Sequence, residues 1–385
     1  MQAIVGGLMG SFPLGGVGWD YGQYVLGLHR LGFNVTYLED TGWMAYDPVA
    51  QADVESFASG ARFVDATLSR LDPALSGRFH IRDMDGGTYG ISPEELEELI
   101  ASCDLFLNVS GAVLLREEYL PASNKVLIDT DPGWNHFHRF PQQQALRASR
   151  GQPGLEAHDH FFTYAERMGR PGCTLPTFGW DWHPTRPPVV LDEWAPEGAA
   201  ERWTTVMMWE PYMQRIVHDG VTYGTKDVSF AKIAALPALT GAPLEVAVGG
   251  DAPRDEWAAQ GWSVLDSTAI SQTADAYRAY LASSRGEFSV AKHVYVATAS
   301  GWFSCRTVCY LAAGRPAIVQ DTGFGELIGA HDGLFPWSDV DDARAALRDV
   351  ENDYETHAQG ARALAEERFG SDLVLGEMLE RMGMG

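Results

Sequence analysis

The chain has 385 residues, 45% of them hydrophobic, and a formal net charge of −24 at pH 7. Its length exceeds what one core comfortably serves, so two domains are expected. Its acidity excludes gripping a nucleic-acid backbone or an anionic membrane surface.

No segment approaches the roughly 20 apolar residues of a membrane-spanning helix. The opening MQAIVGGLMGSF lacks the basic leader of a secretory signal, and the 4 cysteines show no CxxC pattern. A soluble cytoplasmic protein is the expectation.

Residues 2–8 read as a short apolar strand and 10–18 as a glycine-rich loop. Over 19–31, Tyr21, Val25, Leu28 and Leu31 recur at helical spacing, Gly32 ends the helix, and 34–38 alternates as a strand. Strand, glycine loop, helix, strand is a βαβ unit and implies a parallel sheet. A proline-started helix follows Ser92 as N-cap. Strands are predicted over 105–109, 125–129 and 160–164, and the proline-rich stretch 177–198 breaks every period, as a linker does. A second series follows: strand 203–209, helix 227–236, strand 244–248 and helix 275–283. In SGWFSCRTVCYLAAGRPAIVQDTGFGE (300–326) a helix ends at Gly314, a β-branched strand follows Pro316, and a glycine-spaced acidic loop comes next. The helical region 340–382 is long enough to pack on one domain and cross to the other.

The segment GGVGWDYGQYVLGLHRLGFNVTYLED resembles the N-terminal unit of GT-B glycosyltransferases, in which a Gly-Gly loop opens a helix ending in Leu-x-x-Leu-Gly-x-x-Val. Independently, YLAAGRPAIVQDTGFGELI resembles that family's donor segment: helix, Gly-x-Pro, strand, acid, glycines, glutamate. The resemblance covers essentially the whole chain. It implies an α/β fold of two Rossmann-like parallel-sheet domains facing across a cleft. Residues 1–185 would bind the acceptor, 186–370 the nucleotide-sugar donor, and 371–385 would cross back as a helix. The implied activity is a metal-independent, hexosyl-type transfer from a nucleotide-diphosphate donor, UDP- or dTDP-linked, without a further cofactor. The hydroxyl acceptor would be a small natural product or a cell-surface glycan; a bacterial source and a homodimer are compatible with this.

The resemblance also assigns residues. Gly15 and Gly16 would let backbone approach the donor. The helix beginning near Ser304 would aim unpaired N–H groups at the diphosphate, with Ser304, Arg306 and Lys226 adding donors and charge. Asp321, Thr322, Gly323, Phe324 and Glu326 would meet the sugar. Asp20, just after the glycine loop, is the expected catalytic base, with Asp131 and His136 in reserve. The base of the nucleotide would lie at 261–268.

Each residue also has a structural reading: Asp20 as a first-turn acid, Ser304 as an N-cap, Lys226 as a solvated lysine, and the acidic loop as a strand-to-helix turn. The family's paired glutamates are replaced by Gly301 and Cys309, so neither the ribose contact nor the stereochemical outcome carries over, and Glu287 lies outside the motif. His136/His138 and His158/His160 read as packing residues sooner than a metal site, and so do Cys305 and Cys309. Trp43, Trp134, Trp180 and Trp182 offer stacking surfaces or loop staples. Alternatives are a nucleotide-sugar epimerase of the same fold and a two-domain solute-binding protein.

Overall fold

The computed structural model describes residues 1–50, 52–198, 201–209, 215–329 and 331–385. Two open sheets organise it. The first runs, edge to edge, Trp182–Pro184, His160–Thr163, Lys125–Asp129, Leu105–Val109, Gln2–Gly6, Asn34–Glu39, Phe79–Arg82 and Thr88–Gly90. Every neighbouring pair is parallel except the last. The second sheet is wholly parallel, in the order Ser263–Asp266, Leu244–Gly249, Trp203–Met208, Gly286–Ser289, Ala317–Gln320 and Leu334–Trp337. Parallel strands buried on both faces need continuous apolar runs. Leu105–Val109 and Lys125–Asp129 are buried at every position.

The order of strands reverses about Gln2–Gly6 in the first sheet and about Trp203–Met208 in the second. Ligand crevices in such sheets open beyond the carboxyl ends of strands at those reversals. The glycine loop follows the first of these strands, and Lys226 comes after the second, beyond the hairpin of Ile216–His218 and Val221–Tyr223.

The helix α1 (Gly15–Arg30) joins the two halves. It begins at Gly15, inside the stretch expected to be loop. Gly15 N–H donates to Ser271 O at 2.6 Å, and a Cβ there would stand 2.2 Å from Thr273 O. Only glycine lets the helix start against the other domain. One turn on, Trp19 Nε1 donates to Ala274 O at 2.8 Å. Near its far end, Gly27 backs onto the last helix, Ser371–Arg381, where a Cβ would meet Leu375 Cδ1 at 2.6 Å. Gly15→Ala should therefore cost about 1–3 kcal/mol, as overpacking does. Chemical denaturation of the whole chain measures it, and an unchanged midpoint would mean the contact with Thr273 yields freely.

Several expected elements differ. The stretch 177–198 contributes a strand, Trp182–Pro184, to the edge of the first sheet, and its Val189 pairs with the start of the last helix through Val189 N–H to Phe369 O. The helix expected over 227–236 is two short ones, Lys226–Phe230 and Leu236–Thr240, because Pro237 restarts the winding at the first turn of the second. The terminal region is three helices, Val340–Asn352, Tyr354–Arg368 and Ser371–Arg381. Asp353, non-helical in backbone, separates the first two.

Candidate active site in the interdomain cleft

A cleft of about 360 Å³ opens between the two sheets' carboxyl ends. Gly16, Asp20 and Asp131 line it from the first domain; Lys226, Lys292 and Arg306 line it from the second. Two helix N-termini face it. The start of α1 has neither a side-chain cap nor an acid in its first turn, and its first N–H donates to Ser271 O. The helix Cys305–Ala312 is capped by Ser304, whose hydroxyl accepts from Arg306 N–H at 3.2 Å.

The cations are crowded. Burial, with Lys292 and Arg306 nearby, pushes the Lys226 ammonium well below the ordinary lysine range. Its Nζ donates to Met208 O at 3.0 Å. Lys292 Nζ reaches Asp131 Oδ2 at 2.6 Å, across the domains, and the Tyr295 hydroxyl donates to the other oxygen of Asp131 at 2.5 Å. Arg306 Nε donates to Glu287 Oε1 at 2.7 Å, and its Nη1 to Val206 O at 2.8 Å. Two of the three cations thus already hold a carboxylate, Lys292 that of Asp131 and Arg306 that of Glu287.

Asp20 stands opposite, half-buried, facing the cleft and a small recess lined by Trp19, Gln23, Tyr277, Cys305 and Cys309. Burial raises its pKa from 3.8 to about 6, and a hydrogen bond from the Cys305 thiol offsets part of that rise. A carboxyl poised there is a base near neutral pH. Behind it, the buried Glu39 fixes the glycine loop, accepting from Gly10 N–H at 2.7 Å and Ser11 N–H at 2.5 Å. Burial raises its pKa from 4.5 to about 7, and these donors hold it down in part.

The expected donor residues divide into two groups. Gly16, Lys226, Ser304 and Arg306 meet in the cleft with Asp20, and Gly15 sits one residue behind at the domain contact. The segment from Asp321 to Glu326 does not line it. Asp321 Oδ1 accepts from Gly323 N–H and Gly325 N–H at 2.8 and 3.2 Å, capping the next turn. The Thr322 hydroxyl donates to Trp302 O at 2.6 Å, and Phe324 packs edge-on against Phe303 at 5.1 Å. Gly323, like Gly301, is held under Arg167 of the first domain, where a Cβ would meet the Arg167 stem at 2.8 and 2.9 Å. Glu326 ion-pairs with the same Arg167. Asp321 and Thr322 thus bond backbone within the turn, and Glu326 pairs with Arg167 while staying largely exposed.

Of the reserve bases, Asp131 is the cross-domain partner of Lys292, while His136 is fully buried. It bonds Asp129 Oδ2 at 3.0 Å and Pro176 O at 2.8 Å amid Phe140, Phe178 and Trp182. Among the described residues, no three His, Cys, Asp or Glu side chains gather as metal ligands. Trp180 and Trp182 pack on Phe161 and Phe140 at the far edge of the first sheet, whereas Trp43 reaches the glycine loop, its Nε1 donating to Ser11 Oγ at 3.3 Å. Lys292, Tyr295 and Trp302 went unnoticed in the sequence. One signal was available: Lys292 stands between the strand Gly286–Ser289 and the helix His293–Ala297, at the carboxyl end of a parallel strand.

No protein-family model matches the sequence, and no curated protein matches it significantly. Solved structures do. The chain is similar to an alpha-glucosyltransferase (AGT) in complex with UDP, at a TM-score of 0.56 and 10% identity over 100% of both chains. It is similar to AviGT4, a glycosyltransferase involved in Avilamycin A biosynthesis, at 0.53 and 15% over 99% of this chain and 96% of that one. A third is Anabaena Alr3699/HepE in complex with UDP and glucose, at 0.51 and 12% over 100% and 99%. At such identities the likeness establishes the fold, two Rossmann-like domains in the GT-B arrangement.

Proposed function

Starting from the GT-B fold, we propose that this protein is a glycosyltransferase that moves a hexosyl group from a UDP- or dTDP-linked donor to a hydroxyl of a small acceptor. The observation that carries the proposal is the convergence of Lys226, Lys292 and Arg306 with two helix N-termini in the interdomain cleft. A nucleoside diphosphate would bring further acceptors to this cluster, in which Lys292 is paired with Asp131 and Arg306 with Glu287. Its base would lie toward Ser267, on the second domain. The acceptor would enter from the first domain. That two of the similar structures are named as glycosyltransferases, and that two are in complex with UDP, supports transfer over epimerisation and over simple sugar binding.

In the proposed reaction the acceptor oxygen attacks the anomeric carbon as Asp20 takes its proton. The bond from that carbon to the diphosphate oxygen breaks, and the diphosphate leaves with the electron pair. Lys226, Lys292 and Arg306 stabilise the charge that develops on it, which supports a metal-independent transfer. A direct displacement of this kind would invert the anomeric centre.

Calorimetric titration with UDP, dTDP and GDP, without added metal, tests the donor site. One of them should bind. Lys226→Ala should weaken that binding by about 1–3 kcal/mol. Titrations in which none of the three binds a folded protein would remove the proposal.

A further inference from the structure

Of the two acids that line the cleft among the described residues, Asp20 and Asp131, the proposed chemistry uses only Asp20. Asp131 lies just beyond the strand Lys125–Asp129 of the first domain, yet its partners belong to the second. Lys292 Nζ donates to one carboxylate oxygen at 2.6 Å, and the Tyr295 hydroxyl donates to the other at 2.5 Å. Backbone on either side is held the same way. Trp302 Nε1 donates to Thr130 O at 3.0 Å, and a Cβ on Gly133 would meet Val294 Cγ2 at 2.6 Å. Trp302 in turn stacks on Tyr295, their ring centres 4.3 Å apart. Thr130, Asp131, Lys292, Tyr295 and Trp302 all line the cleft. The Asp131 carboxylate is therefore presented to Lys292 by the packing around it, and not by the ion pair alone.

The two carboxylates among the cations differ in their access to water. Glu287, the partner of Arg306, is fully buried, whereas the Asp131 side chain is 26% exposed and that of Lys292 14%. A hydrated pair on a cleft wall can exchange one anion for another at little cost, and a dry pair cannot. The charge of Asp131 also reaches Lys226, opposing the burial and the neighbouring cations that depress its ammonium. We infer that Asp131 is the resident anion of the cation cluster, holding Lys292 until a diphosphate takes its place, and that it thereby sets the affinity of the cleft for phosphate groups. The identity of that diphosphate rests on the transferase proposal. An arriving anion meets a like charge at Asp131 and must replace its bond to Lys292. A diphosphate has acceptor oxygens enough for both lysines and Arg306 together. As the nucleotide leaves after transfer, the same carboxylate returns to Lys292.

The test is calorimetric titration of the whole chain with UDP, and with inorganic pyrophosphate as a probe that carries no nucleoside. Asp131→Asn removes the charge and keeps the shape. It should bind both probes about tenfold more tightly than the unsubstituted chain, and the gain should shrink as salt is raised. Asp131→Ser carries the same expectation should the amide variant fail to fold. Lys292→Ala should cost about tenfold more UDP affinity in the Asp131→Asn chain than in the unsubstituted one, where Lys292 must first give up its carboxylate. If Asp131 served only to hold the domains together, Asp131→Asn would weaken both probes. That result, unchanged affinity, or equal costs of Lys292→Ala in the two chains overturns the inference and leaves the transferase proposal standing. If UDP binds neither chain, the transferase proposal falls. The pyrophosphate comparison then decides alone: tighter binding to Asp131→Asn upholds the role of Asp131, and anything else removes it.

Discussion

Arg306→Ala is expected to lose stability before it loses ligand. Glu287 is fully buried, and its Oε2 has no hydrogen-bond partner, so the guanidinium is its principal compensation. Removing one member of a buried ion pair leaves the other uncompensated, at about 3–5 kcal/mol. The denaturation midpoint of the full chain should fall accordingly. The rescue is informative: Arg306→Met with Glu287→Leu should recover most of the stability, since apolar replacement of a buried pair is often neutral. Nucleotide binding should stay lost in that double variant. If alanine at 306 left the midpoint untouched, Glu287 would have to be hydrated in the native protein, and Arg306 would not be its anchor.

Asp20→Asn should separate chemistry from stability. The isosteric amide cannot take a proton, so turnover should fall by about 10²–10⁴-fold, the usual contribution of a general base. Donor affinity should hold. Stability moves the other way. Because burial raises the native pKa from 3.8 to about 6, the native state binds this proton more tightly than the unfolded chain does. The carboxyl's relative contribution is intact below pH 4 and is lost as pH rises through about 6. Asparagine, which does not titrate, should therefore gain about 1–3 kcal/mol at pH 7.5 and nothing at pH 4. Urea denaturation at both pH values measures this. Equal effects at the two would mean that Asp20 is already hydrated in the folded protein, and full turnover would pass the base role elsewhere.

Local rules made much of this legible in the sequence. The capping box at Ser92 and Glu95, the strands Leu105–Val109 and Lys125–Asp129, and the helix behind Ser304 each follow from residues within a turn or two of one another. The edge strand Trp182–Pro184 was read as linker because three residues ending in proline carry no period; pairing with His160–Thr163 makes it a strand. Site residues failed for a related reason. Glu287 gains its meaning from Arg306, 19 positions on, and Lys292 from Asp131, 161 positions back. A motif also fixes order along the chain without fixing direction in space. The acidic loop after the strand Ala317–Gln320 stands where the family pattern puts it, yet Asp321 turns inward to cap backbone and Glu326 turns to Arg167.

The position of α1 bears on how the chain is made. Trp19 meets Ala274 across 255 residues, and Gly27 waits for Leu375 near the end of the sequence. During synthesis the first sheet can assemble long before either partner exists, leaving α1 with two bare faces as the second half emerges. Contacts of such separation form late and slowly. The last helix is thus the closing piece of the first domain as well as the tail of the second. A ribosome that stops short of it would release a protein with both sheets present and its first helix still exposed.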